Sequence, residues 1–306
     1  MGTIYNNITE TIGQTPLVRL NRISSHLDAE LLVKMESFNP MGSVKDRIGL
    51  AMIDAAEKEG RITEKTQIIE ATSGNTGISL AFVCAAKGYQ LTLTMPDNMS
   101  IERRKLFKLL GAEVILTPAI AGMKGAIDQA TEFLNAKSNV FMPSQFSNPA
   151  NPDVHARTTA EEILADTGGR LDVVVSGVGT GGTLTGMVRR IKKDLPEIVS
   201  IAVEPENSAI LSGGMPGPHS IQGIGAGFIP PILEVELISR VVRIGDQLAV
   251  DTAQQCARQE GIACGISSGA AVAAALQLAA EPEYQGKRFV IILPDIAERY
   301  FSTQLF

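Results

Sequence analysis

The chain has 306 residues, 44% of them hydrophobic and 20% charged, with 27 Lys and Arg against 33 Asp and Glu for a formal net charge of -6. That length allows two domains with a sizeable core, and the acidic balance excludes an overall basic face for nucleic acid. No basic leader with an apolar stretch and no apolar run of spanning length is found in it, so a cytoplasmic protein without a membrane segment is expected.

In chain order, Ile12-Gly-Gln-Thr-Pro16 is a turn running into a short apolar strand, and residues 29–36 form a second strand. Pro40 and Gly42 mark a further turn, after which Ile48, Met52, Ile53 and Ala56 recur at helical spacing and predict a helix from Val44 to Arg61. Strand, loop and helix then repeat, with strands predicted at 67–71, 91–95, 113–116 and 140–142. Helices are predicted after the Thr72–Gly77 loop as far as Lys87-Gly88, over 100–110 and over 122–136. The stretch from Gln145 to Asn151, with Pro149 followed by Pro152, suits a crossing between domains. Beyond it the same alternation predicts helices at 154–166, 184–193, 246–260 and 267–280 and strands at 171–175, 200–203, 240–244 and 288–293.

Continuous apolar strands alternating with helices imply parallel sheets covered on both faces. The predicted fold is α/β, with two doubly wound domains of mostly parallel sheet and the active site in the cleft between them, at the carboxyl ends of the strands. The expected division is a smaller domain of residues 36–147 and a larger one of residues 1–35 with 148–306.

Cys84, Cys256 and Cys264 are scattered and without metal-ligand spacing, and His26, His155 and His219 are far apart. Neither a disulfide framework nor a metal centre is expected, nor a Ser-His-Asp triad. The cysteines read as small core residues.

Four segments carry candidate chemistry. In Asn39-Pro-Met-Gly-Ser-Val-Lys45-Asp-Arg47 a loop becomes a helix and places Lys45 on its first turn. The positive end of a helix disfavours a cation, so an amine there in apolar surroundings has two reasons for a lowered pKa and can attack a carbonyl. The other reading is a solvated side chain. Gly177-Val-Gly-Thr-Gly-Gly-Thr183, between a strand and a helix, is either a phosphate cradle of backbone N–H groups or a tight structural turn. It has neither the dinucleotide fingerprint nor the lysine of a Walker loop. Thr72-Ser-Gly-Asn-Thr-Gly77 is a second such loop, suited to a carboxylate or a phosphate, or else an ordinary Ser/Thr helix cap. Ser267 and Ser268 open a helix, where capping is the simplest role. A nucleophilic amine, a phosphate nest and a carboxylate nest together would serve a phosphorylated carbonyl cofactor and an amino acid.

These segments, with Gly213-Gly-Met-Pro-Gly-Pro-His219, Ile221-Gln-Gly-Ile-Gly-Ala-Gly-Phe228 and Gly265-Ile-Ser-Ser-Gly-Ala270, closely resemble the cysteine synthases (O-acetylserine sulfhydrylases). Those enzymes belong to the tryptophan synthase β, or fold type II, group of pyridoxal phosphate enzymes. The resemblance runs from Ile12 to Phe306. It implies pyridoxal 5'-phosphate joined to Lys45, its phosphate held by Gly179, Thr180, Gly181, Gly182 and Thr183, its 3' oxygen by Asn75 and its pyridine nitrogen facing Ser267. Thr72, Ser73, Gly74, Asn75, Thr76 and Gln145 would bind the substrate carboxylate, and Gly223 to Gly227 would approach the substrate amine as the smaller domain closes.

The implied reaction is β-replacement: Lys45 removes the Cα proton of O-acetyl-L-serine, acetate leaves to give an α-aminoacrylate, and sulfide adds to give L-cysteine. A neutral serine opposite the ring nitrogen makes the ring a modest electron sink, which favours loss of the β-substituent over transamination. The resemblance also implies a homodimer and a serine acetyltransferase C-terminal tail that docks in the carboxylate nest. The alternatives are a cystathionine β-synthase-like enzyme using homocysteine and a scaffold that binds that tail. Two positions depart from the family. Pro294-Asp-Ile-Ala-Glu-Arg-Tyr300 has Ile296 and Ala297 where a hydroxyl and a glycine are usual, and Ser220 stands where a lysine often follows Pro-Gly-Pro-His.

Overall fold

A computed structural model of the chain describes residues 4–306. Its strands are β1 (Leu17–Arg19), β2 (Glu30–Met35), β3 (Gln67–Ala71), β4 (Gln90–Pro96), β5 (Glu113–Thr117), β6 (Val140–Phe141), β7 (Val173–Gly177), β8 (Val199–Pro205), β9 (Arg240–Ile244) and β10 (Arg288–Leu293). Its helices are α1 (Lys45–Lys58), α2 (Asn75–Lys87), α3 (Ile101–Leu109), α4 (Gly122–Ala136), α5 (Ala150–Val154), α6 (Ala160–Thr167), α7 (Gly182–Asp194), α8 (Asp246–Gln255) and α9 (Ile266–Ala279). The chain forms two compact units: the residues through Ile12 with Lys45–Ala150, and Gly13–Val44 with Asn151–Phe306.

The smaller unit holds a parallel sheet in the order β5-β4-β3-β6. Along β4, Leu91, Leu93 and Met95 alternate with Thr92 and Thr94, and all five are buried because helices cover both faces. The threonines are tolerated there because each hydroxyl is satisfied. Thr94 donates to the Ala126 carbonyl of α4 at 2.7 Å, and Thr92 accepts from the Gln67 amide at 2.8 Å.

The larger unit holds a sheet in the order β1-β2-β10-β7-β8-β9, parallel except for the antiparallel edge strand β1. Alternate residues of its central strands feed two cores. Val173, Val175, Ile201, Val203 and Ile291 join α8 and α9 on one face, while Val174, Ala202, Val290 and Ile292 join α6 and α7 on the other. Burying each such branched side chain contributes about 1.5–3 kcal/mol, which is why these strands read as unbroken apolar runs. α9 is apolar around most of its circumference, with Ala270 to Ala275 all buried, as a helix enclosed by its own unit must be.

Two predicted helices differ in detail. The one expected over 154–166 begins at Ala150 and widens into a π-type turn at His155–Thr159 between α5 and α6. The one expected over 246–260 ends in a similar turn at Cys256–Glu260, closed by Gly261 in the left-handed conformation. Each extra residue per turn re-aims the side chains beyond it. The three cysteines are free and buried, and burial pushes the Cys84 thiol up to about 12. Among the described residues no helix is long and apolar enough to cross a membrane.

Candidate active site

The lysine segment leaves β2 through a single turn at Glu36–Phe38. Asn39 secures it, its amide donating to the Glu36 carbonyl and to Glu36 Oε2, each at 2.9 Å, while its Oδ1 accepts from the Gly13 N–H at 2.9 Å. The Val44 N–H then donates to the Pro294 carbonyl at 2.8 Å. α1 starts at Lys45, one residue after the predicted start, so the lysine lies in its first turn as expected, and it is half-buried. The Lys45 carbonyl accepts a hydrogen bond from Ser79 Oγ of α2 at 2.8 Å.

The Thr72–Gly77 loop joins β3 to α2. Its helix is capped by Gly74, without a side-chain cap bond, so the Ser/Thr-cap reading of this loop does not hold. Thr72 Oγ1 instead accepts from the Gly74 N–H at 3.3 Å inside the loop. Thr76 donates its hydroxyl to Gln145 Oε1 at 2.6 Å, which brings together two predicted carboxylate ligands 69 residues apart. A methyl on Gly77 would lie 2.9 Å from the Phe107 ring and 3.0 Å from Thr72 Cγ2, so the loop packs as closely as glycine allows.

Two residues of this region escaped the sequence reading. Arg103 of α3 is buried and donates to the Ser73 carbonyl at 3.2 Å. Glu70, the fourth residue of β3, accepts the Ser144 N–H at 2.8 Å and the Gln145 N–H at 3.3 Å. Burial pushes the Glu70 carboxyl up to about 7, against the pull of those two N–H groups. A charged residue after the apolar pair Ile68-Ile69 of a strand, two positions before a Ser/Thr-rich loop, was the signal available.

In the larger unit, Gly177 to Thr183 links β7 to α7. A methyl on Gly179 would fall 2.2 Å from the Gly223 carbonyl oxygen, and one on Gly182 would fall 1.9 Å from Asn151 Oδ1. Gly181 is left-handed, with φ +82, and α7 begins there without a side-chain cap. Thr180 Oγ1 accepts from the Asn151 amide at 3.1 Å, and Thr183 Oγ1 is 3.2 Å from His155 Nε2, whose other ring nitrogen is 2.9 Å from Thr159 Oγ1. The π-type turn thus aims His155 at the loop. A glycine backbone at the positive end of a helix, flanked by two oriented hydroxyls, fits an organic phosphate.

α9 is capped by Gly265, so Ser267 and Ser268 lie inside its first turn and are not its cap. Ser267 is buried, and its Oγ lies 3.9 Å from where a Cβ on Gly223 would stand, at a backbone φ of +95. The turn before it is braced by the departing segment: the Gly265 N–H donates to the Asp295 carbonyl at 3.2 Å and the Ala297 N–H to the Ala263 carbonyl at 3.1 Å. Ile296 and Ala297 therefore act on the approach to Ser267 through backbone pairing. A buried neutral hydroxyl beside a glycine path suits a heteroaromatic ring nitrogen.

A family model described as "Pyridoxal-phosphate dependent enzyme" matches residues 8–295. The chain is 52% identical to a cysteine synthase A of Salmonella typhi over 315 aligned positions, covering 100% of this chain and 97% of that one. It is also 52% identical to a cysteine synthase of Staphylococcus aureus over 302 positions, covering 98% and 97%. Its structure superposes on the crystal structure of a cysteine synthase from Entamoeba histolytica with a TM-score of 0.97 at 47% identity, over 99% of this chain and 91% of that one. With a glycine loop shaped for a phosphate, a helix-initial lysine and a family match across nearly its whole length, the chain belongs to the pyridoxal-phosphate dependent enzymes, and its cofactor is pyridoxal 5'-phosphate.

Proposed function

We propose that this chain catalyses β-replacement on O-acetyl-L-serine, exchanging acetate for sulfide to form L-cysteine. Full-length likeness to cysteine synthases carries this reading. Bound in the site, the cofactor supplies an aldehyde that joins the substrate amine and a ring that makes the Cα proton acidic.

The chain's residues do the rest. Backbone N–H groups of Gly179 to Gly182 and the hydroxyls of Thr180 and Thr183 hold the phosphate, Asn75 the 3' oxygen, and Ser267 donates to the ring nitrogen without charging it. Lys45 Nζ is the covalent anchor. Released from the cofactor, the Lys45 amine would be the base that takes the Cα proton and later returns it. Thr72, Ser73, Gly74, Asn75, Thr76 and Gln145 bind the substrate carboxylate, and Gly223 leaves room for its amine. In this reading residues 36–147 take the substrate carboxylate, and residues 1–35 with 148–306 take the phosphate and ring nitrogen. A cytoplasmic homodimer belongs to the same proposal, as does a serine acetyltransferase C-terminal tail seated in the carboxylate nest.

The test is an absorbance scan of the holoenzyme. O-acetyl-L-serine added alone should shift the visible cofactor band with release of acetate, and sulfide should then restore the band with release of cysteine. Lys45→Ala should abolish turnover and alter the resting band. Full turnover with an unaltered band in that variant would sink the proposal.

A further inference from the structure

We propose that Glu70 is a positioning residue for the substrate carboxylate site, acting through the Ser144–Gln145 backbone to fix the Gln145 side chain against Thr76. The proposal deepens the functional reading above and rests on it, since Gln145 and Thr76 are carboxylate ligands only in that reading.

The geometry is specific. Both Glu70 oxygens are used, Oε2 by the Ser144 N–H at 2.8 Å and Oε1 by the Gln145 N–H at 3.3 Å. Among the described residues Ser144 is one of three non-glycine residues with positive φ, at +57, a conformation an L-residue keeps only when its surroundings hold it. Glu70 supplies part of that hold. Directly beyond this turn, Gln145 Oε1 accepts the Thr76 hydroxyl at 2.6 Å. The amide plane of Gln145 is thereby set from both sides, by a backbone anchored on Glu70 and by a hydroxyl of the carboxylate loop.

Glu70 itself is 4% exposed, and β4 and β6, hydrogen-bonded on either side of β3, carry no ionisable side chain. Of the helices on the two faces of that sheet, α4 turns Lys124, Asp128 and Glu132 to solvent and α2 ties Lys87 to Asp54 and Glu57; α1, packed on α2, buries Asp46 and Arg47 in its first turn, and Arg103 of α3 is directed to the Ser73 carbonyl. Burial raises Glu70 to about 7, against the pull of the Ser144 and Gln145 N–H groups. A proton taken up there turns one acceptor oxygen into a donor and disrupts one of the two bonds to the turn. The state that fixes Gln145 is the ionised one, so substrate capture should weaken as pH falls through 7.

The test is steady-state kinetics of the holoenzyme with O-acetyl-L-serine and sulfide. Glu70→Gln keeps the shape but replaces one acceptor by a donor. It should raise KM for O-acetyl-L-serine about tenfold, the size expected when one charge-assisted hydrogen bond is lost, with kcat within about twofold and the cofactor band unchanged. In wild type that KM should rise as pH is lowered from 8 to 6, and in Glu70→Gln it should be flat. In a Gln145→Ala background the Glu70→Gln effect should vanish, because both changes remove one interaction.

Effects that multiply in the double variant would overturn the proposal, as would a Glu70→Gln enzyme with wild-type KM and pH profile. Should Glu70→Gln fail to fold, wild type and Gln145→Ala are compared across the same pH range. Loss of the pH dependence in Gln145→Ala supports the proposal, and its persistence overturns it. Absence of cysteine formation by wild type would instead sink the functional reading.

Discussion

Ser79 donates its hydroxyl to the Lys45 carbonyl at 2.8 Å, and Gly49, one turn further along α1, lies so near that a methyl on it would come within 2.0 Å of the same oxygen. The candidate nucleophile is therefore carried on a helix whose distance from α2 is set by a glycine and tied by a serine. Gly49→Ala should destabilise the fold by about 1–3 kcal/mol, the usual cost of overpacking a tight helix contact. Ser79→Ala should cost about 0.5–1.5 kcal/mol for the lost hydrogen bond. Urea midpoints of Gly49→Ala, Ser79→Ala, Ser79→Gly and the double variant Gly49→Ala with Ser79→Gly check this. The double variant should be more stable than the sum of its parts, because removing the serine side chain makes room for the methyl.

The phosphate loop makes a second, sharper expectation. A methyl on Gly182 collides with Asn151 Oδ1, and Asn151 is the residue that orients Thr180. Gly182→Ala should displace both and weaken cofactor binding at least about tenfold, the loss of roughly one good hydrogen bond to a charged phosphate. Equilibrium dialysis of the apoenzyme with pyridoxal phosphate measures it. Unchanged affinity would mean that the close approach of this loop to Asn151 is dispensable.

Glu260 closes the wide turn after α8 and receives three backbone N–H groups on Oε1, those of Asn21, Arg22 and Ile23, at 3.0, 2.6 and 2.8 Å. Burial alone would raise its pKa, but these three donors outweigh it and leave the carboxyl below its ordinary value. A depressed folded-state pKa means stability present above the unfolded value near 4.3, lost as pH falls through the folded one. Glu260→Gln should therefore cost about 1–2 kcal/mol at pH 7, after allowance for its partial exposure. The gap between variant and wild type in urea midpoint should close as pH is taken down toward about 3.

Much of the fold is legible in the amino-acid sequence. β3, β9 and β10 have the bounds read from their apolar runs, and α4 begins and ends where its pattern does. The candidate site was legible as a set of loops and helix starts, two of them glycine-containing passages between a strand and a helix. It was not legible as a set of contacts. Ser267 and the Thr72 loop read equally well as caps, and only the backbone path shows glycines, Gly265 and Gly74, in the capping positions. His155 looked like an isolated histidine until the widened turn carried it to Thr183.

The amino-acid order by itself determined the alternation of strand and helix, the burial of both sheet faces and the identity of the chemical groups, because these follow from local periodicity and residue type. Strand order belonged to the tertiary structure, which pairs β2 in parallel with the last strand β10 and leaves β1 at an antiparallel edge. So did the roles of Glu70, Asn151 and Gly179, since each is defined by an atom far away in sequence. Local pattern fixes what a segment can be, whereas which distant groups it meets is set by packing, and hydrogen-bond geometry and desolvation act only on groups that have met.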